Sequence, residues 1–165
     1  MKRLLTIDAA DYTDDMTVYV KHTVRAIIEK DGKYAMQQSG TGEYKIPGGG
    51  VENGESHEET LEREVLEETG LIVRKESIRE IGEILELRRD IFEANVKYEC
   101  HTYFYYCDVE DKICDVCMTE SEIEKGFHPV WAAAEDIIAA NRRIGDAVTS
   151  NRDTSFMELL MNNNL

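Results

Sequence analysis

The chain has 165 residues and a formal charge of −15, from 19 basic and 34 acidic side chains. The length suits one domain. The charge excludes a dedicated binder of nucleic-acid backbone or of an anionic membrane surface, because both need a basic footprint. No apolar run approaches the roughly 18 residues of a membrane helix. Met1 to Ile7 starts like a secretion leader, but Asp8 cuts the apolar stretch short. The expectation is a soluble, cytoplasmic protein. Its 42% hydrophobic content is enough to build a core.

Taken in order, residues 1–16 are polar and mixed and read as a loosely held lead-in, with 17–165 as a single domain. From Thr17 the pattern turns strand-like, through Val18-Tyr19-Val20 and then His22 to Ile28. Asp31-Gly32 is a hairpin turn signal, and Lys33 to Gln37 is the returning strand. Tyr44-Lys45-Ile46 is a short strand that stops at Pro47. A glycine-rich loop follows, Gly48-Gly49-Gly50-Val51-Glu52-Asn53-Gly54-Glu55. Ser56 and Glu59 form a capping-box pattern, and Gly70 is a left-handed stop, so the spacing predicts a helix over 57–69. Residues 78–87 and 96–107 read as strands, 108–126 as loop, Phe127 to Ala132 as a last strand, and Ala134 to Arg142 and Ser155 to Met161 as helices. Strands and helices mix without strict alternation, which implies a mixed sheet with helices packed on it.

Residues 55–68 carry seven glutamates against one arginine. At helical spacing, Leu61, Val65, Thr69 and Leu66 make the core-facing stripe. Glu64, Glu67 and Glu68 make a second patch at i, i+3, i+4, where like charges repel. Glu67 and Glu68 also sit in the last turn, where the helix dipole disfavours anions. A bound divalent cation would remove both penalties, and carboxylate oxygens are hard ligands suited to Mg²⁺, Mn²⁺ or Ca²⁺. Beside a glycine-rich loop, such a cluster suggests metal-assisted phosphate chemistry. The simpler reading of a Glu-rich helix is a solvated acidic face, and charge patterning alone does not displace it.

The full string does. Gly49, five residues, Glu55, seven residues and then Arg63-Glu64-Val65-Leu66-Glu67-Glu68-Thr69-Gly70-Leu71 meets every defined position of the Nudix signature. The preceding Ile46-Pro47-Gly48 also resembles that family's lead-in. The resemblance implies an α/β/α sandwich around a mixed β-sheet. It also implies a MutT-like, Mg²⁺- or Mn²⁺-dependent pyrophosphohydrolase acting on a nucleoside diphosphate linked to a further group. That substrate would be a nucleoside triphosphate, oxidised or not, or ADP-ribose or a nucleotide sugar. By the same resemblance, Glu64, Glu67, Glu68 and the Gly48 carbonyl bind metal, and Glu64 is a candidate general base. Glu55 helps hold the loop, and Arg63 orients the glutamates. The partner is a small molecule, neither a nucleic-acid polymer nor a membrane, and a homodimer is an expectation by analogy only. The competing reading is a non-catalytic nucleotide-sensing or protein-interaction module on the same scaffold. The loop is not a phosphate-binding loop of the ATPase type, since no Gly-Lys-Ser/Thr follows.

Weaker features carry bland readings. Cys114-Asp-Val-Cys117 is a lone CxxC, and reduced, mostly buried cysteines are the default. His22, His57, His101 and His128 show no ligand spacing and read as structural or surface, with His101 and His128 the two considered for substrate contact. Arg88-Arg89 reads as a solvated turn, and Phe92, Tyr103 and Tyr105 as core residues. Glu120, Glu122 and Glu124, in the expected loop, are candidates for an extra acid among which the sequence does not choose.

Overall fold

Asp31 and Gly32 both have positive φ, 53° and 74°, the type I′ geometry that matches the twist of a two-stranded ribbon. They join β3 (Glu29–Lys30) to β4 (Lys33–Gln38). The computed structural model describes residues 1–145 and 148–162; residues 146, 147 and 163–165 of the expected 17–165 unit lie outside the described residues. Besides that hairpin, the described chain forms β1 (Arg3–Asp8), β2 (Thr17–Ile27), β5 (Tyr44–Lys45), α1 (His57–Thr69), β6 (Leu71–Val73), β7 (Arg79–Arg89), β8 (Val96–Tyr106), β9 (Val109–Ile113), α2 (Glu120–Glu124), β10 (His128–Ala132), α3 (Ala134–Ile144) and α4 (Val148–Met161).

The principal sheet is mixed, in the order β1-β7-β8-β2. β1 runs parallel to β7, β7 antiparallel to β8, and β8 parallel to β2. An antiparallel sheet holds β10-β4-β3, with β5 added along β4, and β6 pairs with β9. Alternation along β8 sends successive side chains to opposite faces. Tyr105 joins one core with Val24, Ala26, Leu61 and Val65 of α1. Phe104 joins the other with Ile27, Ile84, Ile137 of α3 and Phe156 of α4. The Phe104 and Phe156 rings stack at 3.9 Å between centroids. Helices therefore cover both faces of the sheet, the expected α/β/α arrangement.

Three expectations are corrected. The first is the N-terminal lead-in: residues 3–8 form β1, whose Leu4 packs where a Cβ on Gly82 would stand. A parallel partner some 80 residues away leaves no local signal. The second is the loop over 108–126, which contains β9 and α2; Thr119 and Glu122 form a full capping box there. The third is the C-terminal helix, which starts at Val148 rather than Ser155. Among the described residues no helix is long and apolar enough to cross a membrane.

Candidate active site

α1 begins and ends on local chemistry. Ser56 accepts from the Glu59 N–H, the Glu59 side chain accepts from the Ser56 N–H, and Gly70 closes the helix in the left-handed region at φ 73°. Leu61, Val65 and Thr69 are buried as the helical spacing requires, but Leu66 is 38% exposed and lies outside the stripe. Thr60 and Glu68 are buried instead. The glycine loop crosses that flank of the helix, so the neighbour rather than the periodicity decides which residues it covers.

β2 fixes the loop from below. Val24 N–H donates to the Gly49 carbonyl, Ala26 N–H to the Pro47 carbonyl, and Val51 N–H to the His22 carbonyl. The loop is held so close that a Cβ on Gly48, whose φ is 135°, would stand 2.2 Å from the Val24 oxygen. One on Gly49 would stand 2.1 Å from Glu64 Oε1. Both positions require glycine, the first for backbone and the second to leave room for a carboxylate.

Arg63 organises the carboxylates. Its Nε and Nη2 donate to Glu55 at 2.8 and 2.9 Å, and Nη1 to Glu64 at 2.7 Å and Glu67 at 3.5 Å. A second Nη2 bond reaches the Gly50 carbonyl at 3.4 Å. The Arg63 fork and the Thr60 hydroxyl hold the Glu55 carboxyl down at about 2, well below the usual range. Glu68 accepts the Gly48 N–H at 2.7 Å and is 7% exposed. Burial pushes its carboxyl up to about 8, opposed by the charge of Arg25 and by the Gly48 bond.

Glu55, Arg63, Glu64, Glu67, Glu68 and Gly48 are thus brought to one place. The donor set is all oxygen, which fits a hard divalent cation. Among the described residues, however, no three His, Cys, Asp or Glu side chains converge as a metal cage. Glu64 and Glu67 turn to Arg63, and Glu68 to the loop. Of the downstream glutamates, Glu122 in α2 adds a charge that raises the Glu68 carboxyl further.

Several residues read as bland take part in a cleft of about 500 Å³ beside this cluster, lined by Tyr19, His22, Gly50, Glu55, His57 and Tyr103 among others. His57 Nδ1 meets the Tyr105 hydroxyl at 2.6 Å, and His22 stacks on Tyr103 at 5.9 Å between centroids. His57 at the helix start, two residues from Glu55, was a usable signal. His22 was not, because its place follows from parallel pairing with His101 in β8. His101 itself is engaged by Glu83 and Glu99, and His128 by the Gly126 carbonyl. Phe92 is corrected from core to surface at 88% exposure, while Tyr105 is buried. Arg88 lies over the Tyr98 ring, and Arg89 binds Asp11. All four cysteines are free, as expected; Cys100 and Cys107 are buried, Cys114 is half-buried and Cys117 is exposed, so the expectation of mostly buried thiols holds for the pair in and after β8 and not for the CxxC.

A family model described as the NUDIX domain matches residues 21–148. Among solved structures, a NUDIX hydrolase from Nitrosomonas europaea is similar at 22% identity and TM-score 0.58, over 75% of this chain and 79% of that one. A MutT NUDIX hydrolase from Burkholderia pseudomallei is similar at 18% identity and TM-score 0.57, over 72% and 86%. The E. coli ORF135 protein follows at 20% identity and TM-score 0.51, over 86% and 91%. No curated protein sequence matches.

Proposed function

The chain belongs to the Nudix family and is a Nudix hydrolase; from that premise we propose that it cleaves a nucleoside diphosphate linked to a further group, by water attack on phosphorus, with Mg²⁺ or Mn²⁺. The observation that carries this reading is the joining of the carboxylate face of α1 to the glycine loop, through the Glu68 to Gly48 bond and the Gly49 space that admits Glu64.

The oxygens of Glu64, Glu67 and Glu68, with the Gly48 carbonyl, would hold the cation. When bound, it would neutralise anhydride oxygens and lower the pKa of a nearby water. The chain's own residues do the rest. The Glu64 carboxylate takes the proton of the attacking water. Glu55 stays ionised and fixes the Arg63 fork, and Arg63 in turn sets Glu64 and Glu67. The glycines let backbone approach the phosphates. Products are a nucleoside monophosphate and a phosphorylated second fragment. Candidate substrates are nucleoside triphosphates, oxidised ones included, and ADP-ribose or nucleotide sugars. We take the partner to be a small molecule rather than a polymer.

The test is a panel of such compounds with Mg²⁺ or Mn²⁺, reading phosphate released by a coupled phosphatase. At least one should turn over, and Glu67→Gln should lower that rate by about 10²-fold or more. No turnover across the panel, together with no Mn²⁺ binding, would return the protein to the non-catalytic scaffold reading.

A further inference from the structure

Fixed cations beside a metal strengthen the hold of an acidic site on a polyanion. Arg63 cannot supply one. A guanidinium has five N–H donors, and those of Arg63 go to Glu55 twice, to Glu64, to Glu67 and to the Gly50 carbonyl. Arg152 is sealed in the core against Asp153, Glu86 and Thr102. Lys45 lies over the Phe127 ring at 4.4 Å.

Arg25 differs from all three. It sits in β2 between Val24 and Ala26, whose N–H groups hold Gly49 and Pro47, and its Cα is 3.0 Å from where a Gly48 Cβ would stand. Its Nε is shielded from water and has no hydrogen-bond partner. The side chain as a whole is only half-buried, and among the described residues its guanidinium makes no hydrogen bond and no ion pair within 4.0 Å. The charges of Asp153, Glu68 and Glu64 act on it favourably, and that of Arg152 unfavourably. Burial and the nearby Arg152 lower its pKa from the usual arginine value. An unpaired guanidinium whose Nε is shielded from water is costly unless an anion completes it, and guanidinium matches phosphate in two parallel bonds.

We propose that Arg25 is a substrate-binding residue of this site, its guanidinium gripping non-bridging oxygens of the diphosphate beneath the Gly48–Gly50 loop. The inference rests on the pyrophosphohydrolase reading. It adds that the phosphate recognition comes from the floor of the loop, on β2, and not from the signature's own arginine.

Inorganic pyrophosphate with Mg²⁺, measured by calorimetry, is the probe for the fork, and Mn²⁺ alone is the probe for the carboxylates. Arg25→Gln should weaken pyrophosphate binding by about tenfold or more. It should raise KM of a hydrolysed nucleotide more than it lowers kcat, and leave Mn²⁺ affinity within about twofold. Arg25→Lys keeps the charge without the fork and should fall between the two. Should Arg25→Gln not fold, the lysine variant decides alone, and must bind pyrophosphate measurably more weakly than the wild type. Unchanged pyrophosphate affinity overturns the assignment. So does a fall in Mn²⁺ affinity matching the fall for pyrophosphate, because Arg25 would then act only by holding Glu68. A wild-type protein that binds neither probe and hydrolyses nothing overturns the functional reading itself, a result distinct from a silent Arg25 variant.

Discussion

Gly48 and Gly49 are adjacent, yet the structure asks different things of them. A methyl on Gly48 would meet a main-chain oxygen of β2 at 2.2 Å, in a backbone region that L residues rarely adopt. Neither strand nor loop can yield without losing the hydrogen bonds that join them. Gly48→Ala should therefore destabilise the fold by about 3 kcal/mol. A methyl on Gly49 would meet the end of the Glu64 side chain, which can swing aside. Gly49→Ala should fold with nearly the wild-type melting temperature and lose turnover by about 10²-fold, since the carboxylate is then misplaced. Thermal melts and rates on the two variants separate these outcomes. Equal loss of stability in both would mean that Glu64 is not free to move.

At the scale of the element, α1 is stressed where it meets the site. Its last turn contains no basic residue, and Glu67 and Glu68 stand at the negative end of its dipole. Glu67 keeps only a 3.5 Å contact with Arg63, and its side chain is substantially exposed. Such exposed i,i+4 pairs contribute about 0.3–0.5 kcal/mol, comparable to the dipole penalty of roughly 0.3–1 kcal/mol. Glu67→Gln in EDTA should thus unfold at the same urea concentration as the wild type or a higher one, while its turnover with metal collapses. A loss of stability above about 1 kcal/mol would show that the carboxylate is structural. The bounds of α1 were legible in the sequence because Ser56, Glu59 and Gly70 act on neighbouring backbone. The signature residues were legible because their spacing is fixed by one helix and one loop. β1, β9 and α2 were not, since long-range pairing or a short, exposed segment decides them. The burial of Glu68, the exposure of Leu66 and the stacking of His22 on Tyr103 were hidden for the same reason, as each depends on what crosses the element.

At the scale of the whole molecule, the C-terminal helices hold the strand that delivers the loop. Asn141 of α3 accepts from the Tyr44 N–H at 2.8 Å and donates to the Tyr44 carbonyl at 3.0 Å. Asp153 of α4 accepts the Ile46 N–H at 3.0 Å, just before Pro47 and the glycines. Asp153 is 0% exposed, and its charge is met by Arg152, 3% exposed, which also reaches Glu86 of β7 at 3.4 Å. Replacing a buried arginine while leaving its carboxylates is among the costly changes, about 3–5 kcal/mol. Arg152→Met should cost that much at pH 8. Burial already raises the Glu86 carboxyl above its usual range, with Arg152 opposing; without the arginine it rises further. A carboxyl raised in the folded state favours that state while protonated and penalises it as pH climbs through the raised value. The stability deficit of Arg152→Met should therefore be smaller at pH 5 than at pH 8, measured against the wild type by urea unfolding. A deficit that does not change with pH would mean that lost packing, not uncompensated charge, is what the substitution removes. Since Asp153 reaches the backbone one residue ahead of Pro47, the same variant should lower turnover at pH 8 even where most of the protein remains folded.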